Sequence, residues 1–106
     1  MINLNDHSFR KRLKLTLNEM AVLKEIEDNT DPYFGWCSKS KNSIANEINV
    51  TKNTVLNALD KLEQLGYLNH DKQTGCCKVI YDLIYDLKIR NTFIKPTFYI
   101  KRYTNY

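Results

Sequence analysis

Five polar side chains, Lys52, Asn53, Thr54, Asn57 and Lys61, stand off a stripe of apolar residues, Val55, Leu59, Leu62 and Leu65, that recurs at helical spacing. None of the five is acidic. Asparagine can hydrogen-bond adenine in bidentate fashion, lysine can reach guanine or a phosphate, and threonine can meet a thymine methyl group or a phosphate. The chemistry on offer is therefore recognition of base edges and backbone, not bond making. A helix that faces solvent alone would more often carry glutamate on that side, although the same residues would suit the solvated face of an ordinary bundle helix.

Those side chains need a helix held at a set angle, and the flanking residues supply one. Thr51 is an N-cap for it and Gly66 a residue that ends it. Upstream, Ser40 can cap a shorter helix with Ile44, Ala45 and Ile48 inward, small Ala45 allowing close approach. Asn49 and Val50 break the period between the two. Downstream, Tyr67 and Leu68 restart the chain as a strand, and Lys72-Gln73-Thr74-Gly75 predicts a turn before a second strand near Cys76. The predicted order is helix, tight turn, helix, hairpin.

A further helix precedes these. Thr16 and Glu19 fit a capping box, so a helix is expected from about Leu17 to Asp28 with Leu17, Met20, Ala21, Leu23 and Ile26 facing inward. Asn29-Thr30-Asp31-Pro32 stops it, and Tyr33 to Cys37 reads as a short strand with Gly35 at a bend.

Gly35, Trp36, Ser38, Ser40, Ile44, Ala45, Val50, Thr51, Thr54, Val55, Leu59, Leu62, Gly66, Tyr67 and Leu68, in this order, resemble the winged helix-turn-helix domains of phage and plasmid replication proteins and related small regulators. The resemblance covers roughly residues 14 to 83 and is most specific from Val50 to Leu68. It implies an α+β fold, a three-helix core with a β-wing, and DNA binding through the second helix of the motif. Replication and promoter control use the same module, so it does not choose between them.

Charge is segregated along the chain. The net value is +4, but residues 1 to 14 carry +3 through Arg10, Lys11, Arg12 and Lys14 against Asp6, and residues 88 to 106 carry +5 with no acid. Residues 16 to 31 carry −4, so the helix they form should face away from a polyanion. Three cysteines, Cys37, Cys76 and Cys77, lack metal-ligand spacing, although pairing of the Tyr33–Cys37 strand with the wing would bring Cys37 near Cys76, Cys77 or His70. No apolar run has the length of a membrane helix or of a secretory signal, which predicts a cytoplasmic protein.

Enzyme chemistry is not expected. Gly35, Gly66 and Gly75 are isolated, no phosphate-cradling loop, nucleophile elbow or zinc motif is present, and no cofactor is implied. Asp82 and Asp86 could share a metal only if their segment were helical. That segment is ambiguous: Val79, Tyr81, Leu83, Tyr85, Leu87 and Ile89 alternate as in a strand, while Ile80, Leu83, Ile84 and Leu87 have helical spacing. Aromatic and β-branched content favours a strand through at least Leu83. Thr97 to Tyr103 reads as another strand.

The expected organisation is a basic arm over 1–14, a winged helix-turn-helix domain over 15–83, and a mainly β extension over 84–106. A homodimer through residues 80 to 103 would place two reading helices one DNA turn apart, whereas the tail could equally complete its own subunit's core. The expected partner is double-stranded DNA. Lys52, Asn53, Thr54, Asn57 and Lys61 would face the groove, Ser40, Lys41 and Thr51 would anchor phosphates, Lys72, Gln73 and Lys78 would touch the flanking backbone, and Arg10, Lys11 and Arg12 would form a minor-groove arm. The alternative is a winged-helix module that binds a partner protein.

Overall fold

The computed structural model describes residues 2–85. Four helices, α1 (His7–Leu13), α2 (Leu17–Asp28), α3 (Lys41–Ile48) and α4 (Lys52–Gln64), precede a hairpin of β1 (Leu68–His70) and β2 (Cys77–Val79). Each helix starts where a side-chain oxygen takes up an otherwise unpaired amide. Asp6 accepts from Phe9, Ser40 from Ser43 and Thr51 from Thr54, and Thr16 with Glu19 forms a complete capping box.

The turn between α3 and α4 is three residues long in sequence, Asn49 to Thr51. Asn49 adopts a left-handed conformation at φ 61°, which a short polar side chain tolerates, and the Val50 amide closes back on the Ala45 carbonyl at 2.9 Å. At the end of α4, Gly66 has φ +85°, its amide bonds the Glu63 carbonyl, and the Tyr67 amide bonds that of Leu62. This is a Schellman ending, and it aims the chain directly into β1. Gly66→Ala would force a Cβ into that conformation and to 2.6 Å from the Leu83 Cδ1. The partly exposed Leu83 side chain can swing away, so the backbone term dominates and thermal melts should show a loss of about 1–2 kcal/mol.

One apolar core joins all these elements. Met20, Val22, Leu23 and Ile26 of α2 meet Ile44 and Ala45 of α3 and Val55, Ala58, Leu59 and Leu62 of α4, with Leu68, Cys77 and Val79 closing it from the hairpin. Leu17 is exposed and Val22 is fully buried, which reverses two positions of the predicted inward face. α2 is also covered beyond the three-helix core. Glu27 accepts hydrogen bonds from the Ile2 amide at 3.0 Å and from the Tyr81 hydroxyl, so segments from both ends of the described chain lie on α2.

Three expectations are corrected. Residues 1–14 are not an extended arm: Ile2, Phe9 and Leu13 are buried, and the Tyr67 hydroxyl donates to the Leu13 carbonyl at 3.1 Å. Tyr33 to Cys37 is not a strand but a turn wrapped around Asp31. The Asp31 carboxylate accepts from the Tyr33 and Phe34 amides at 2.7 and 2.8 Å, and its carbonyl accepts from Gly35. Pro32 and Gly35 favour this aspartate-centred turn over the β tendency of the aromatics between them. Cys37 alone pairs, with Thr30 on one side and with Cys77 on the other.

The third correction concerns the segment after the hairpin, where residues 81–85 are helical instead of continuing β2. In the ladder Leu68 pairs with Val79 and the Ile80 amide still reaches the Tyr67 carbonyl at 2.9 Å, but Gly66 turns the chain away beyond that pair, so no partner backbone remains for a longer strand. The helical period wins locally: Ile84 is buried and Tyr85 stacks on both Phe9 and Tyr81. The rest of the predicted β extension, the strand at Thr97 to Tyr103, the dimer element and Asp86 lie outside the described residues.

Candidate nucleic-acid interface

The first two turns of α4 present Lys52, Asn53 and Asn57 as exposed side chains, with Thr54 half-buried beside them. Val55, Ala58, Leu59 and Leu62 bury the opposite side, so packing fixes which face looks outward. Thr51 takes up the Thr54 amide, and the two threonine hydroxyls bond each other at 2.9 Å. Thr51 therefore shapes the helix start. The first amides of a helix have no acceptor within it, which leaves those of Lys52 and Asn53 available to an incoming anion.

A cleft of about 310 Å³ opens beside this helix start, lined by Ser38, Lys39, Ser40, Lys41, Asn42, Lys52, Thr74 and Gly75. It brings together the start of α3, the first residue of α4 and the hairpin turn. Of the predicted site residues, Ser40, Lys41 and Lys52 line it. Ser38, Lys39, Asn42, Thr74 and Gly75 are not among the predicted site residues. Asn42 was accessible to sequence reasoning, because it is the second residue after the Ser40 cap, whereas Ser38 and Thr74 meet only through the hairpin's docking.

Several predicted cations are already engaged. Lys61 stands more than two turns along α4 from Lys52 and pairs with Glu19 of α2 at 3.0 Å, away from the reading turn. Burial opposes ionisation of Glu19, but the Thr16 amide and the Lys61 ammonium outweigh it and hold its carboxyl below the usual range. Lys39, which is not one of the predicted site residues, bridges Glu25 and Glu47 at 2.5 and 3.5 Å. Lys41 donates to the Gly75 carbonyl, Lys72 pairs with Glu63 at 3.3 Å, and Lys78 lies 5.8 Å from the centre of the Trp36 ring. Gln73 is exposed in the hairpin turn, its amide bonded to Asp71.

The arginines of α1 make contacts within the N-terminal segment. Arg10 donates to the Leu15 carbonyl at 3.2 Å and meets His7 Nδ1, Arg12 lies over the Phe9 ring, and Lys11 is exposed. The segment is thus a folded helix and not an extended arm, with Lys11 and Arg12 exposed on it.

The cysteines are not bridged to one another. Cys37 and Cys77 exchange both backbone hydrogen bonds, at 2.7 and 2.9 Å, and all three thiols are free and buried. Burial raises the Cys37 thiol and pushes that of Cys77 up to about 11, so both stay protonated at neutral pH. Although Cys37 does reach the hairpin and His70 faces Cys77 across it, no group of three or more metal-binding side chains forms among the described residues.

His70 carries a pH signal. Its imidazole is held below the ordinary histidine value, first by burial and then by the ammonium groups of Lys41 and Lys72. The unfolded chain therefore takes up this proton at higher pH than the folded one. Stability should decline as pH drops from about 6.5 toward the lower folded value and then level off. Melting temperature measured between about pH 7 and pH 5 should show that decline, and His70→Gln should flatten it.

No helix among the described residues is long and apolar enough to cross a membrane. Neither a curated protein nor a solved structure matches the chain. The sequence model of one family does match, over residues 13–68, the span from the end of α1 through α4 to the first residue of β1. That span is more than half of the chain and contains the paired helices and the tight turn just described, and the protein belongs to the helix-turn-helix domain family.

Proposed function

We propose that the protein binds double-stranded DNA sequence-specifically, as a small transcriptional regulator or a replication accessory protein of a phage- or plasmid-type element, and that it is not an enzyme. One observation carries this reading. The exposed face at the start of α4 offers Lys52, Asn53 and Asn57 without an acid among them, and it adjoins both the start of α3 and the hairpin turn around a single cleft. In use, the first two turns of α4 enter the major groove, where the asparagines read base edges and Lys52 reaches a base or phosphate. The hairpin acts as a short wing, with Gln73 and Thr74 toward the flanking backbone. A two-fold dimer would set two such helices one DNA turn apart and suit a palindromic site.

The −4 segment over 16–31 supports the orientation, since α2 contributes most of it and a polyanion would be repelled from that side. Fluorescence anisotropy with duplex fragments at two salt concentrations tests the proposal. Binding anchored on several phosphates should weaken roughly ten-fold or more for a few-fold rise in salt, as counterions are released. Absence of binding at low salt would reject it in favour of a protein-interaction module.

A further inference from the structure

Lys41 is the first residue of α3, and its ammonium crosses to the hairpin turn, where it donates to the Gly75 carbonyl at 2.6 Å. The bond joins parts of the chain 34 residues apart and is partly buried. Gly75 has φ +79°, a conformation that favours glycine, and a Cβ there would lie 3.4 Å from the Lys41 Nζ, which places the ammonium directly against the turn. The turn is closed on itself by the Gly75 amide on the Asp71 carbonyl and the Asp71 amide on that of Cys76.

The β1–β2 ladder has three residue pairs, too few to fix by itself where its turn sits against the helices. Side-chain contacts do that from two sides. Lys41 ties the turn to α3, and Lys72, within the same turn, reaches Glu63 of α4. The two are unequal: the Lys72 side chain is 63 % exposed, so solvent screens its pair, while the Lys41 bond is partly buried.

We infer that Lys41 is a positioning residue of the DNA interface: its ammonium holds the hairpin turn beside the start of α4 and so sets the spacing of the two contact elements, rather than anchoring a phosphate. A turn already held in place loses little freedom when DNA binds, which conserves affinity. The consequence for DNA rests on the function proposed above, whereas the bracing of the turn does not.

The test uses the full chain and Lys41→Met, which keeps the aliphatic stem and removes the ammonium. Hydrogen exchange without DNA should show the Asp71 and Gly75 amides opening roughly five-fold more readily in the variant, the loss expected for one hydrogen bond. Affinity for a duplex selected from a random pool should fall by a similar factor, with the dependence of log Kd on log salt unchanged. Unaltered exchange overturns the inference. So does a salt slope reduced by roughly 0.9, the loss of one phosphate contact, with or without faster exchange. If the wild-type chain binds no duplex, the proposed function fails and the exchange result alone decides the role of Lys41.

Discussion

Replacing Lys52 and Asn57 together by alanine should lower affinity for a selected duplex by about 100-fold or more, since each contact to a base edge contributes about 1–3 kcal/mol. Both side chains are exposed at the start of α4, and no hydrogen bond or ion pair to another described residue involves them. Stability should therefore stay within about 0.5 kcal/mol of the wild type, the usual range for surface substitutions, and alanine suits a helix better than asparagine does. The single variants separate the roles. Lys52→Ala should weaken binding to all sequences and reduce the salt slope by about one if it holds a phosphate, while Asn57→Ala should relax preference at one base pair. Anisotropy at several salt concentrations, paired with a thermal melt of each variant, reads all of this.

Leu62→Ala should have the largest effect on folding. The side chain is fully buried in α4 within the shared core, and its backbone carbonyl receives the Tyr67 amide of the Schellman ending. Truncation removes apolar burial and leaves a cavity whose walls belong to several elements, which costs about 3 kcal/mol. For a domain of this size that corresponds to a drop in melting temperature of roughly 12–24 °C. A domain with a typical reserve of about 5–10 kcal/mol would stay folded at room temperature but lose a large part of its margin. DNA affinity measured well below the melting point should change little, because the reading face is not touched. That contrast with the Lys52/Asn57 variant distinguishes residues that hold α4 from residues that α4 presents.

The paired helices were legible because their signals are local. Thr16, Ser40 and Thr51 cap the helices they were expected to cap, and Gly66 ends α4 with the positive φ that its position implied. What failed depended on partners distant in sequence. The aromatic run at Tyr33 looks β-like by composition, yet Asp31 collects its amides, and only Cys37 finds a strand partner, forty residues away at Cys77. Likewise, alternation after Val79 is indistinguishable from a strand until the short β1 and the turn at Gly66 leave nothing beyond Tyr67 to pair with it.

The interface divides in the same way. Exposure of Lys52, Asn53 and Asn57 follows from the apolar stripe of α4, which the sequence shows directly. Which lysines are free does not. Lys61, Lys41 and Lys72 each meet an acceptor from another element, at Glu19, Gly75 and Glu63, and charge counted along the chain carries no trace of those pairings. The basic residues near the N-terminus show the same effect, since Phe9 and Leu13 draw their segment into the core and turn an expected arm into a helix.

Amide chemical-shift mapping during titration with a selected duplex tests the central claim most directly, because it locates contact residue by residue. The predicted result is that shifts concentrate at Thr51 to Asn57, with a second group at Ser38 to Asn42 and at Gln73 to Gly75. The turn at Tyr33 to Gly35 and the acidic face of α2 should stay silent. Shifts centred on Tyr33 to Gly35 or on α1 with α4 unperturbed, or no shifts at all, would contradict the assignment of α4 as the DNA-reading helix.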